Sequence, residues 1–421
     1  MGRSSTRSEI DLDSTHIFTS EELFRRLEKA KGRTLGEVDL NHVFDLPSKN
    51  KGIAGHVIEE SVLGYKKDSR PEHDIEVDGI GTEVKTTGVR KVDGKYVAKE
   101  PVSITGVFID AIVLEEFERS HFWDKVRQML FVYYFYDYNG PFDVQVYRRF
   151  MILGYELRVV SDADKEILEA DWTKVRDYLR EAKKQSNADL YYPKISQMRL
   201  MYLDVAPKYP NPPRFRFRQP YVNGFIQEFF YSRKQAQLPF RFDKYEEFDG
   251  RCAQLTKEYR GMTVRQLLDR FQIETKTIHK AISERIILAM FDSKEQKIND
   301  IDVFNKLGLI GKSLVQSLSN GRTEDMKLFK INFDEIRDKS LNFEDSEFYS
   351  YFRDYQILTI LFQEQTKKDV RFEDNRFLGF KRVSFSDDFI EYNVRPVWME
   401  IRRLVNEGEL REVCERKSDG S

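Results

Sequence analysis

The chain has 421 residues, of which 40% are apolar and 33% charged, and a formal net charge of −2. That length accommodates two domains of ordinary size, and the near-neutral charge excludes indiscriminate polyanion binding, so any nucleic-acid contact must come from local basic patches. No run of eighteen apolar residues occurs and MGRSSTRSEIDLD holds no apolar leader, so neither a membrane span nor a secretory signal is expected and the protein should be cytoplasmic. The two cysteines, Cys252 and Cys414, form no disulfide or zinc spacing and read as plain thiols. The six histidines are too scattered to spell a histidine-ligated metal site.

In chain order, Thr19-Ser20-Glu21-Glu22 reads as a helix start, carried by LFRRLEKAKG to a glycine stop at Gly32. A short second helix follows. Pro47-Ser48-Lys49-Asn50 then breaks the chain before a helix that begins near Ile53 and carries Glu59 and Glu60. The segment DIEV, the turn Asp78-Gly79-Ile80-Gly81 and the alternating TEVKT predict a hairpin. Side chains two apart on a strand share a face, so Glu83 and Lys85 point one way and Val84 points into the core, with Asp74 at the mouth of the preceding strand. Two carboxylates can hold a hard divalent cation through oxygen, and an adjacent lysine can orient or deprotonate a water for in-line attack on a phosphodiester. The bland alternative is an ordinary surface hairpin, because Glu-x-Lys recurs at Glu181/Lys183 and Glu295/Lys297, which read as solvated helix faces.

YVAKEPVSITGV is expected to be a third strand that extends the sheet. FWDKVRQM reads as a helix, and LFVYYFYDY as a central strand buried on both faces in preference to a base-stacking platform. ILEADWTKVRDYLREAKKQ is an amphipathic packing helix with Trp172, Val175 and Leu179 on one side. From Leu190 to Ala236 a loop punctuated by Pro207, Pro210, Pro212 and Pro213 precedes RFRFRQPYVNGFI. Alternation places Arg214, Arg216 and Arg218 on one face of a strand and Phe215 and Phe217 on the other. No acid lies between Asp204 and Glu228, so this face is expected to contact DNA phosphates or guanine edges, against the alternative of a merely soluble strand face.

The residues KGIAGHVIEESVLGYKKDSRPEHD followed by TEVKTTGV resemble the MutH family of mismatch-repair nicking enzymes, to which GATC-cutting type II restriction endonucleases also belong. The likeness runs from LFRRLEKAKGRTLGEV through WDKVRQMLFV to FRFRQPY, over most of the first 225 residues. It implies an α/β restriction-endonuclease-like PD-(D/E)XK fold, a mixed sheet flanked by helices. It also implies that Asp74, Glu83 and Lys85 are the catalytic Asp, Glu and Lys. A further Glu would come from the G-x-x-x-E helix: counting from Gly55 gives Glu59, counting back from Asp74 gives Glu60, and Glu59 is favoured because it lies one turn from Gly55. Lys125, at the helix-strand junction, is the candidate for a second lysine that reaches the site, its alternative being a solvated helix lysine. The expected cofactor is Mg2+, held by Asp74, Glu83 and the Val84 carbonyl. The arginine segment matches the family's DNA-reaching segment with Arg218 in place of a lysine.

Past Phe240 the chain starts again. TKEYRGMTVRQLLDRF echoes EKAKGRTLGEVDLNHVF, KTIHKAISERIILAMF echoes KGIAGHVIEESVLG, and Gly32/Gly261, Glu59/Glu284, Lys85/Lys312, Gly94/Gly321, Phe135/Phe362 and Trp172/Trp398 keep offsets of 225 to 229. A whole-domain duplication is expected, with a nuclease and DNA-recognition domain over 1–240 and a degenerate second copy over 241–421. In the second copy Ile310 takes the place of Glu83, Asp300 and Asp302 only flank the place of Asp74, and no arginine-bearing strand follows the Trp398 helix. The expectation is a type II restriction endonuclease acting on double-stranded DNA, free as a monomer and paired on its site. The alternatives are a MutH-like nickase and a non-catalytic DNA-binding module.

Overall fold

The computed structural model describes residues 16–46, 52–65, 72–92, 94–138, 143–185, 192–208, 211–232, 235–319, 321, 325–339, 341–365 and 371–411. The break at Pro47–Asn50, Pro210 and Cys414 lie outside them. The chain divides into two compact units, Met1–Val222 and Asn223–Ser421, against an expected boundary at 240. No described helix is long and apolar enough to cross a membrane.

In the first unit, strand β1 (Ile17–Phe18) leads into α1 (Ser20–Ala30). The Thr19 side chain caps α1 at the amide of Glu22, Leu23, Leu27 and Ala30 are buried one turn apart, and Gly32 ends the run at φ +79°. Thr34 and Glu37 form a reciprocal capping box on α2 (Leu35–Val38). Helix α3 (Ile53–His56) passes into a π-helical stretch, Val57–Leu63, closed by Gly64 in the left-handed region. Glu59 and Glu60 both lie on this stretch, which is wound more widely than an α-helix.

Strands β2 (Ile75–Val77) and β3 (Ile80–Val92) form the expected hairpin. Asp78 and Gly79 both have positive φ, 50° and 80°, as a two-residue type I′ turn requires. The far end of β3 pairs with β4 (Lys95–Ala98). The expected third strand is in fact split: β5 (Val102–Gly106) leaves this sheet for another, because Lys99-Glu100-Pro101 interrupts the run and proline lacks the amide a ladder needs. After α4 (Ile109–Ile112), helix α5 (His121–Val126) is capped by Ser120 and feeds β6 (Gln128–Phe135), which lies parallel to β3 and antiparallel to β7 (Ile152–Val159). Met129–Tyr134 are buried in this central position as predicted. The sheet runs β1-β2-β3-β6-β7.

Helix α6 (Asp162–Lys183) buries Trp172, Val175 and Leu179. The expected proline loop contains a strand, β8 (Leu203–Lys208), which joins β9 (Asn211–Phe217) and β5 in a three-stranded antiparallel sheet. Asp171 of α6, fully interior, accepts the amides of Met201, Tyr202 and Leu203 at 2.8 to 3.0 Å and so fixes the start of β8. Helix α7 (Gln219–Tyr231) contains the division between the units.

The second unit holds α8 (Tyr245–Tyr259), α9 (Val264–Arg270), α10 (Ser283–Met290), α11 (Asp302–Lys306), β10 (Leu309–Gln316), α12 (Phe333–Arg337), α13 (Glu347–Asp354), β11 (Gln356–Gln363), β12 (Arg376–Val383), α14 (Asp387–Phe389) and α15 (Arg395–Glu407). Its sheet is β10-β11-β12, parallel then antiparallel, the pattern of β3-β6-β7. Local bonds match as well. Gly32 and Leu35 donate to Ile152 O and Phe150 O, and Gly261 and Val264 donate to Phe377 O and Asn375 O. Thr263 and Gln266 repeat the capping box of Thr34 and Glu37. Ser346 caps α13 as Ser120 caps α5. Cys252 is buried, and burial pushes its thiol up to about 12, so it is inert as expected of a plain thiol. Glu295 and Lys297 lie in a loop, not on the helix face expected for them.

Replacing Asp171 with Ala strands three buried amides. It should destabilise the protein by roughly 2 kcal/mol or more in urea unfolding, the loss expected when buried donors go unpaired.

Candidate active site

The ladder between β3 and β6 sets Glu83 opposite Met129 and Lys85 opposite Phe131, with both charged side chains on one face. Val84, on the other face, is buried in the core. Glu83 is only 3% exposed. Its Oε1 accepts from Lys85 Nζ at 2.6 Å and its Oε2 from Lys125 Nζ at 2.7 Å. Lys125, itself buried on α5, also donates to the Glu72 carbonyl at 2.8 Å. Asp74 stands just before β2, and its Oδ2 accepts the Val84 amide at 2.8 Å. The four predicted residues Asp74, Glu83, Lys85 and Lys125 are therefore brought together, and Lys125 is not a solvated helix lysine.

Burial raises the pKa of Asp74, with the charge of Glu83 pushing the same way and Lys85 and the Val84 amide opposing. For Lys85, burial pulls the pKa down, but the carboxylates of Glu83 and Asp74 outweigh it and the net shift is upward. Two carboxylates close enough to repel each other in a desolvated site, with hard oxygen donors, fit a divalent cation. Among the described residues no group of three or more His, Cys, Asp or Glu side chains is arranged to hold a metal, so backbone oxygen and water would have to complete the coordination of any such ion.

Glu59 sits on the π-helical stretch and is buried, whereas Glu60 is half-buried and its carbonyl accepts from Asn41 Nδ2. A methyl group at Gly55 would lie 3.5 Å from Thr86 Oγ1 and 3.7 Å from Glu59 Oε1. Gly55 thus brings the helix against β3 one residue beyond Lys85, with Glu59 beside the contact.

The arginine face differs from expectation. Arg214 pairs in register with Gly106 and stands near enough to Lys85 for its charge to oppose protonation there. Arg216 bonds to Asp204, its register partner on β8, so the acid just before the acid-free stretch lies directly across the sheet. Arg218 lies past the end of β9, is 5% exposed, and donates to the carbonyls of Leu200 and Met201. It is an internal brace and not part of an exposed ridge, because the chain turns into α7 at Gln219 and ends the alternation.

The sequence reading passed over two histidines that meet this site. His16 Nδ1 donates to the Asp74 carbonyl at 2.8 Å, and His73 Nδ1 donates to Asp124 Oδ2 at 2.9 Å. The adjacency of His73 to Asp74 and of Asp124 to Lys125 was the available signal.

The hairpin that carries Asp74, Glu83 and Lys85 and the helix α5 that carries Lys125 both lie within residues 63–171, which match the family described as the DNA mismatch repair enzyme MutH. Along its length the chain is similar to the type II restriction enzyme Sau3AI of Staphylococcus aureus, 23% identical over 427 residues that cover 95% of this chain and 83% of the relative. The resemblance read from the sequence stands, and the matches support a type II restriction endonuclease.

In metal-free protein, Glu83→Gln removes the strongest influence holding the Lys85 ammonium protonated and leaves burial dominant. The Lys85 pKa should then fall below the ordinary lysine value, as read by NMR titration of labelled lysine side chains. An unchanged pKa would mean that the pair does not persist in solution.

Proposed function

We propose that this protein cuts double-stranded DNA with Mg2+ as a type II restriction endonuclease, at the GATC site that the family resemblance implies. The observation that carries the reading is the buried cluster in which Glu83 and Asp74 face Lys85 and Lys125 on one side of β3. Asp74, Glu83 and the Val84 carbonyl would hold the cation, which when bound supplies Lewis acidity at the scissile phosphate and eases deprotonation of water. Lys85 orients the attacking water, Lys125 fixes Glu83, and Glu59 supports the helix side of the site. Arg214, beside Lys85, meets a DNA phosphate. Arg216 contributes a weaker field because Asp204 balances it.

We read the second unit as a degenerate copy of the first that serves as scaffold or pairing surface. Ile310 pairs with Ile357 and Lys312 with Thr359 on β11, the counterparts of Glu83 with Met129 and Lys85 with Phe131, so an apolar side chain stands where the metal-binding carboxylate would be needed. Lys312 spends its ammonium on the Lys327 carbonyl at 2.7 Å, and burial lowers its pKa. Asp302 is paired with Lys306 at 3.0 Å. The same face of this sheet opens on an apolar cavity of about 650 Å³, whose walls include Leu314, Ile357, Leu361 and Phe385. With one such cluster among the described residues, a palindromic site is cut either by two chains that meet on the DNA or by one chain that nicks, releases and nicks again, and our reading is the first, with each chain otherwise monomeric.

Plasmid cleavage with Mg2+ followed by sequencing of the ends tests the reading. Linear product with GATC ends and little nicked intermediate is expected, whereas a persistent nicked pool would favour the mismatch-repair nickase. Asp74→Ala and Glu83→Ala should abolish both metal binding and turnover, while Lys85→Ala should spare metal binding and slow cleavage by about a hundredfold or more. Full activity in Asp74→Ala would sink the assignment.

Arg214→Ala should lower the slope of log affinity against log salt by about one. Arg218→Ala should leave that slope unchanged and reduce stability in urea instead. The opposite pattern would reverse their roles.

A further inference from the structure

The segment Glu72–Asp74 carries a proposed cation ligand but precedes β2, which begins at Ile75. No strand ladder fixes it, so other contacts must. Besides the Val84 amide, which donates to Asp74 Oδ2 at 2.8 Å, three are present, one at each residue: Lys125 Nζ donates to the Glu72 carbonyl at 2.8 Å, His73 Nδ1 to Asp124 Oδ2 at 2.9 Å, and His16 Nδ1 to the Asp74 carbonyl at 2.8 Å.

The His73 contact is the most built. Its ring lies over Gly81 on β3, where a Cβ would fall 2.4 Å from both Cε1 and Nδ1 of the imidazole. Gly81 is not among the glycines with positive φ, so its backbone does not demand glycine; the ring does. Asp124 is held in turn by Arg127 NH2 at 3.1 Å. Asp124 directly precedes Lys125, and His73 directly precedes Asp74. One hydrogen bond therefore ties the segment bearing one carboxylate to the helix whose lysine grips the other.

We propose that His73, seated on Gly81 and bonded to Asp124, is a positioning residue that sets the separation of the Asp74 and Glu83 carboxylates for a divalent cation. This rests on the reading of those two residues as cation ligands. Outer contacts of this kind shift metal affinity without touching the ion.

The test is calorimetric titration of Mn2+ into the full chain, with steady-state cleavage kinetics and metal-free thermal unfolding in parallel. His73→Ala and Gly81→Ala should each weaken Mn2+ binding roughly tenfold and lower kcat by roughly ten- to a hundredfold, with KM for DNA and the metal-free melting temperature nearly unchanged. Asp124→Asn, which keeps an acceptor for the imidazole, should retain more Mn2+ affinity than Asp124→Ala. In a His73→Ala background, Gly81→Ala should add no further loss, because the ring it displaces is gone. Unaltered Mn2+ affinity in both single variants, or additive losses in the double variant, would overturn the proposal. Normal Mn2+ binding by Asp74→Ala would instead remove the underlying ligand assignment.

Discussion

A carboxylate buried between two ammonium groups is the constraint around which the first unit is arranged. Glu83 is 3% exposed and each of its oxygens accepts from a different lysine, one on its own strand and one on α5. An unpaired charge in that position would be strongly destabilising, so β3, α5 and the segment before β2 must keep their mutual register. The type I′ turn at Asp78-Gly79 sets the hairpin register, the parallel β3-β6 ladder places α5 beside Glu83, and the Ser120 cap starts α5 at the right point. In a desolvated site of this kind, charge is held in place and not dispersed into solvent, as the proposed cation and phosphate binding would need.

Much of this was legible because it depends on local periodicity. The alternation through TEVKT put Glu83 and Lys85 on one face, Asp-Gly announced the turn, and the apolar run after Gln128 announced a central strand. What escaped depends on where the chain goes next. Arg218 obeys the alternation of RFRFR, yet the strand stops at Phe217 and the next residue is drawn inside to brace two carbonyls. Asp204 looked like the edge of an acid-free stretch, but antiparallel pairing of β8 with β9 put it against Arg216. Spacing in sequence does not reveal the contacts of His16 and His73, which reach across 58 and 51 residues.

The helix that carries Glu59 and Glu60 has a winding that no periodicity rule exposes. A helix is counted at 3.6 residues per turn, and the stretch Val57–Leu63 is wound more widely. Glu59 is the residue turned inward against the Gly55 contact with β3, and Glu60 is left half-buried. In the second unit the aligned helix α10 is regular, and Glu284 accepts the amide of Ile298 at 2.7 Å. Glu284 is thus committed to local backbone capping, in a unit whose sheet shows the same parallel-then-antiparallel pattern with Ile310 and Lys312 on β10.

Anomalous scattering from crystals of the protein grown with Mn2+ and DNA would test the central claim most directly. The account predicts a Mn2+ peak roughly 2 to 2.5 Å from carboxylate oxygens of both Asp74 and Glu83, with at least one lysine withdrawn from Glu83 and no peak beside Ile310. A Mn2+ ion bound elsewhere, with Asp74 and Glu83 still occupied only by amide and ammonium donors, would contradict it.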